Sequence, residues 1–181
     1  MTLKCIEVLT TEHKTMLRIT DVLDSMSKQA RDHGDYATAD VEAVVDILRR
    51  FGDQHHQAKE EGALFPIFTG SCDPTEYAAV RHMFFEHEQD RALMSGIQDS
   101  IARYSAPHFA EYASRLATVL RNHIFKEDNI LFETINDHLS AEDDARVMSE
   151  FESFDQTFYP QQKHLHDQLR RLEWKYLRKI A

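Results

Sequence analysis

The sequence predicts an all-α protein: an up-down-up-down four-helix bundle followed by additional C-terminal helices. Three observations carry that expectation. Glycine (5) and proline (4) are scarce in 181 residues while charged residues make up 29%, a balance that favours long amphipathic helices over a sheet with many turns. Apolar residues recur at helical spacing in long runs bounded by caps and breakers. One helical pattern is also written twice, as HQAKEEGALF from His56 and HIFKEDNILF from His123. A hydrophobic content of 42% in a chain of this length suits one packed core.

The elements follow in order. Ile6, Leu9, Met16, Leu17 and Leu23 form the first stripe, with His13 on it, and the pattern fades at Arg31-Asp-His-Gly-Asp. A second helix is expected from about Asp40 to Phe68, with Val45, Leu48, Leu64 and Ile67 inward and Pro66 tightening or kinking its last turn; GSCD at 70–73 ends it. The third has the clearest start, because Asp73 can cap, Pro74 stands at the first helical position and Glu76 completes a capping box; it runs to about Tyr104. Pro107 opens a fourth, through Tyr112, Leu116, Val119, Leu120, Ile130, Leu131 and Ile135, ending near Asn136-Asp-His. Ser140 with Asp143 is a second capping box, opening a short fifth helix to about Phe154 that closes a bundle domain at 1–154. In the segment 155–181, a helix after Pro160 carries Leu165, Leu169, Leu172, Tyr176 and Ile180 on one stripe, expected to pack on the bundle or on a second subunit as a homodimer.

A formal net charge of −10 argues against nucleic acid or an anionic membrane as partner, since both demand a basic footprint. The start, MTLKCIEVLTTEHK, has no long apolar run, and no stretch nears the roughly 20 apolar residues of a membrane span. A cytoplasmic location is expected. Cys5 and Cys72 form no CxxC pair and read as free thiols without a role.

The duplicated pattern carries the chemistry. A histidine at i and a glutamate at i+4 share one helical face, so His56 with Glu60 and His123 with Glu127 can each offer a nitrogen and an oxygen to a cation. The remaining two helices supply His13 and His87, each preceded by glutamate in TEHK and FEHE, so the chain reads as one hairpin, EH then HxxKE, used twice. At a rise of about 1.5 Å per residue, His13 and His56 lie roughly 27 and 24 Å from the first connection, and the other pairs match similarly. Four histidines thus converge on one layer inside a bundle, where cofactor ligands project inward. Imidazole with carboxylate suits iron, manganese or zinc, and carboxylates able to bridge suit a dinuclear site. His55 has Lys59 at i+4 and reads as an outer or surface residue; His82 points to another face; His33, His108 and His138 fall in expected turns; His164 and His166 read as solvated. Met16, Met83, Met94, Phe84 and Phe132 read as core. No histidine has glutamate three residues before it and no HExxH occurs, which sets aside ferritin-like carboxylate sites and zinc peptidases.

The strings TEH at 11–13, HQAKEEGALFP at 56–66, FEHEQDR at 85–91 and HIFKEDNILF at 123–132 resemble the hemerythrin-like, or HHE cation-binding, domain over about residues 5–150. The resemblance implies a non-haem diiron centre, oxo- or hydroxo-bridged, with His13, His56, His87 and His123 as terminal ligands and Glu60 and Glu127 bridging. Oxygen-carrying hemerythrins add a fifth histidine four residues before the third, where this chain has Met83. Both irons then keep an exchangeable position, which fits binding of, reaction with or sensing of O2, NO or peroxide better than reversible carriage. A non-catalytic iron or oxygen sensor signalling through its C-terminal helix is the alternative, and a metal-free helical interaction module a third.

Overall fold

The computed structural model describes residues 2–70 and 72–178. Five helices follow one another: α1 (Lys4–His33), α2 (38–69), α3 (Pro74–Ala102), α4 (106–138) and α5 (Ala141–Tyr176). No strand occurs among the described residues. The short connections make successive helices antiparallel. α1 packs on α2 and α4, α3 packs on α2 and α4, and α5 lies across α1 and α2.

The helix ends obey local chemistry. Gly34 takes the left-handed conformation (φ 76°) and its N–H donates to the Ala30 carbonyl, stopping α1. Asp73 and Glu76 form the expected capping box with Pro74 at the first position of α3, and Ser140 with Asp143 forms the other at α5. His33 and His108 stand in terminal turns of α1 and α4, and His138 is the last residue of α4, not in connections as expected.

Two features depart from a straight α-helical reading. Segments Leu48–Gln57 and Glu60–Leu64 of α2, and Glu127–Leu131 of α4, are π-helical. Glu60 and Glu127 each open one such turn. An i→i+5 bond adds a residue to the turn, and Phe65 and Phe132 follow Glu60 and Glu127 by five positions. Second, the break expected between Phe154 and Pro160 is absent, and α5 runs unbroken with Pro160 inside it. Pro160 and Gln156, whose carbonyl loses its partner, are both exposed, so the group the proline leaves unpaired is open to solvent. Phe151, Phe158, Leu165, Leu169 and Leu172 are all buried, one stripe seated on the bundle across the proline. Ile180 lies outside the described residues.

Two apolar clusters fill the interior. One, near the first and third connections, includes Met16, Leu23, Leu48, Leu116 and Leu120; the other, near the second connection, includes Leu9, Leu64, Met83, Leu131 and Phe132. The charged layer separates them. Ile130 and Phe84 were expected inside and are exposed instead.

Candidate metal centre

All six expected ligands meet in that layer. His13, His56, Glu60 and Glu127 form one buried group whose ligand atoms lie within 4.8 Å of one another, and Glu60, His87, His123 and Glu127 form a second. Both glutamates belong to both groups. The other seven histidines belong to neither.

The inner atoms face common space. His123 Nε2 lies 3.1 Å and His13 Nε2 3.3 Å from Glu127 Oε2, while His56 Nε2 lies 3.5 Å from Glu60 Oε1 and His87 Nε2 3.4 Å from Glu60 Oε2. The four carboxylate oxygens of Glu60 and Glu127, with His13 Nε2 and His56 Nε2, make no hydrogen bond among the described residues. Burying two carboxylates this way costs several kcal/mol per ion unless something cationic is held between them. Ligands about 2.1 Å from one ion stand about 3.0–3.4 Å apart, which is the spacing seen here. The donor set therefore fits a pair of hard-to-borderline divalent or trivalent cations.

The outer nitrogens explain how the rings are aimed. His56 Nδ1 lies 2.9 Å from Glu12, His87 Nδ1 2.7 Å from Glu61, His123 Nδ1 3.0 Å from Glu86 and His13 Nδ1 2.7 Å from Asp128. Each helix thus orients the histidine of the next, α1 to α2, α2 to α3, α3 to α4 and α4 back to α1. A ring that donates Nδ1–H outward keeps Nε2 free for a cation. Cations hold three of these carboxylates in turn: Lys59 bonds Glu12 at 2.7 Å, Arg91 bonds Glu61 at 2.8 Å, and Lys126 bonds Glu86. Burial alone would push the carboxyls up, but the ring N–H groups and these cations outweigh it and hold Glu12, Glu61 and Glu86 below the ordinary range. Burial likewise disfavours charged rings, yet the surrounding carboxylates raise His13 and His87 to about 9 and His123 well above its usual value. Phe132 stacks on His13 at 5.5 Å between ring centres and Phe65 on His87 at 6.3 Å.

The duplicated string therefore encodes more than ligands. In HxxKE[ED]xxLF, the histidine and glutamate face the shared space, the lysine holds the preceding helix's glutamate, the second acid orients the next histidine, and the phenylalanine stacks on it. The roles of Glu12, Glu86, Glu61, Asp128, Lys59 and Lys126 escaped sequence reasoning, although their appearance in both copies was the signal for them.

A third group, Glu12, His55 and Asp155, also clusters. Lys59 Nζ occupies its centre, 2.7 Å from Glu12, 2.6 Å from Asp155 and 3.2 Å from His55. The cation there is the lysine. His55 is buried, stacked on Phe158 at 4.1 Å, and contacts the carboxylate that orients His56.

Among known families, the hemerythrin HHE cation-binding domain matches residues 5–135. No curated protein and no solved structure gives a significant match. The match spans most of the chain and contains all six residues of the two buried groups, so the chain belongs to the hemerythrin family of HHE cation-binding domains.

Proposed function

We propose that the protein is a non-haem diiron protein that binds and reacts with or senses a small oxidant, O2, NO or peroxide. The sharing of Glu60 and Glu127 between two buried histidine pairs carries this reading. Two shared carboxylates and two imidazoles per ion are a donor set suited to iron with positions left for an exogenous ligand. When bound, the irons supply electrons and open coordination positions. The protein's own groups would hold Nε2 of each histidine toward them and bind them through Glu60 and Glu127, in a layer set between two apolar clusters. Uptake close to two irons per chain, with near-ultraviolet charge-transfer bands in the aerobic protein, is the expected outcome of anaerobic Fe(II) loading followed by metal analysis and spectroscopy. Glu60→Ala and Glu127→Ala should each lose both irons together, while His55→Ala keeps both. A chain that stays metal-free under Fe(II) sinks the proposal.

A sensor that signals through α5 is the second reading, favoured by one contact path. Asp155 of α5 bonds Lys59, which bonds Glu12, which orients His56. Iron-dependent protection of α5 in hydrogen exchange would support it, and identical α5 exchange with and without iron would exclude it.

A further inference from the structure

The internal repeat extends beyond the ligand layer to the outer face of each hairpin. Glu86 and His87 of α3 stand where Glu12 and His13 stand on α1, and His123 and Lys126 of α4 where His56 and Lys59 stand on α2. Counting from these pairs matches each outer position of one hairpin to one of the other. On α1 the outer stripe is Val8, Thr11, Thr15 and Arg18, and α5 meets all four: the first three line the pocket under Asp155 and Phe158, and Arg18 bonds Glu173 at 2.6 Å. On α2 the matching stripe includes Phe51 and His55, which pack against Phe158, and Gly62, which lies against Phe154. The outer face of the first hairpin is thus the seat of α5.

The corresponding positions of the second hairpin are His82, Phe85, Gln89 and Ala92 on α3 and Thr118, Asn122, Phe125 and Asn129 on α4. Spacings of three and four residues put each set on one helical face, and the ion pair of Glu86 with Lys126 joins the two stripes along one seam. All of these positions are exposed among the described residues. Phe85 is 58% exposed and Phe125 62%. Lys59, under α5, is 1% exposed, whereas its counterpart Lys126 is 30% exposed. None of the stripe residues is Asp, Glu, Lys or Arg, although these make up 29% of the chain. Absence of charge together with exposed aromatic rings is the composition of an interface core, whereas a solvated helical face is charged and polar.

We propose that this seam is a dimer interface whose occupant is a second copy of the chain. Charge selects that occupant. At a net charge of −10 two copies repel, and an uncharged face is where they approach at least cost. A basic partner would need unpaired carboxylates, and Glu86, within the seam, is already taken by Lys126, His82 and His123. Symmetry agrees. Glu86 and Lys126 meet and are therefore level, so Phe85 and Phe125 differ in height by about 3 Å on their antiparallel helices. A twofold axis along the seam lays α3 of each copy on α4 of the other, antiparallel, with Phe85 of one copy at the height of Phe125 of the second. The stripe of α5 does not serve instead, because Leu165, Leu169 and Leu172 are already buried on the bundle. Each exposed stripe runs for about 16 Å, a patch at the small end of dimer interfaces, so the expected dimer is reversible, with a micromolar dissociation constant.

Analytical ultracentrifugation of the full chain over a concentration series tests this. The wild type should pass from monomer to dimer as concentration rises. Phe85→Lys/Phe125→Lys should stay monomeric with unchanged circular dichroism. Gln89→Glu/Asn122→Asp keeps the side-chain shapes and adds two carboxylates to the face of each copy, so it should raise the dissociation constant at least tenfold, a rough figure for like charges brought together, and it carries the comparison if the lysine variant does not fold. Trp174→Lys, at an exposed position of α5, should dimerise like the parent. A chain still monomeric at millimolar concentration overturns the proposal, as does a dimer that Gln89→Glu/Asn122→Asp leaves intact or that Trp174→Lys abolishes. Oligomeric state is read the same way with and without iron, so failure here leaves the diiron reading untouched.

Discussion

At the residue scale, the centre is built from pairs in which one member faces the shared space and the other fixes its direction. Glu12 and Glu86 never enter the shared space, yet each takes the outer nitrogen of a histidine that does. Glu12→Ala or Glu86→Ala should lower iron affinity about 10–100-fold while leaving two sites at saturation, as read by competition with a chromophoric chelator. An unchanged affinity would mean that packing alone aims His56 and His123. Met83 tests one wall of the layer. It is buried in the apolar cluster near the second connection and lies one turn before His87. Met83→His places an unpaired imidazole there, costing about 1–3 kcal/mol in iron-free protein. Iron should restore that loss if the new ring coordinates, and reaction with NO or peroxide should slow as an open position fills. A stability deficit that iron does not recover would show that residue 83 does not reach the metals.

At the element scale, two helix starts cap themselves and a third borrows its caps. α3 and α5 carry complete capping boxes, which is why their starts were plain in the sequence. The first turn of α1 has no side-chain cap of its own. Its Leu3 N–H donates to Asn136 of α4, and the Lys4 and Cys5 N–H groups donate to Asp144 of α5. Asp144→Ala should therefore destabilise by about 1–3 kcal/mol and fray α1 first, seen as lost amide protection near residues 4–8. Burial would raise Asp144, but these backbone N–H groups outweigh it and lower it. Its contribution is present above the ordinary aspartate value of 3.8 and is lost as pH falls through the lowered native value. Acid unfolding of Asp144→Ala should accordingly show less pH dependence than the parent between 3.8 and that lowered value. The π turns belong to the same scale: no residue in EEGAL or EDNIL announces them, because the constraint is the shared layer and not the local propensity.

At the scale of the whole molecule, the metal-free protein is a proton-holding substitute for the loaded one. His13 and His87, raised to about 9 from an ordinary 6.5, and His123, raised well above that ordinary value, stand as imidazolium among carboxylates when no cation is bound. A raised native value stabilises fully below the unfolded value and is lost as pH climbs through the native one. The melting temperature of iron-free protein should then fall between about pH 6.5 and about pH 9, while iron-loaded protein stays nearly level. Iron uptake at neutral pH should release protons, measurable by calorimetry in buffers of different ionisation enthalpy. Uptake without proton release would mean that the rings are neutral before metal arrives.

What the sequence determined by itself was the repeat, and with it the four helices of the bundle, the two plain capping boxes and the six residues that meet in one layer. Helical periodicity and rise are local properties, so counting residues from each connection was enough to bring His13, His56, His87 and His123 to one height. The tertiary structure alone decided everything that depends on which helix lies beside which. The ring of carboxylates, the lysine seated between Glu12 and Asp155, and the borrowed caps of α1 all join residues far apart in the chain. So does the single helix through Pro160. A proline read locally ends a helix, whereas here the buried stripe from Phe151 to Leu172 gains more from lying continuously across α1 and α2 than one exposed missing hydrogen bond costs.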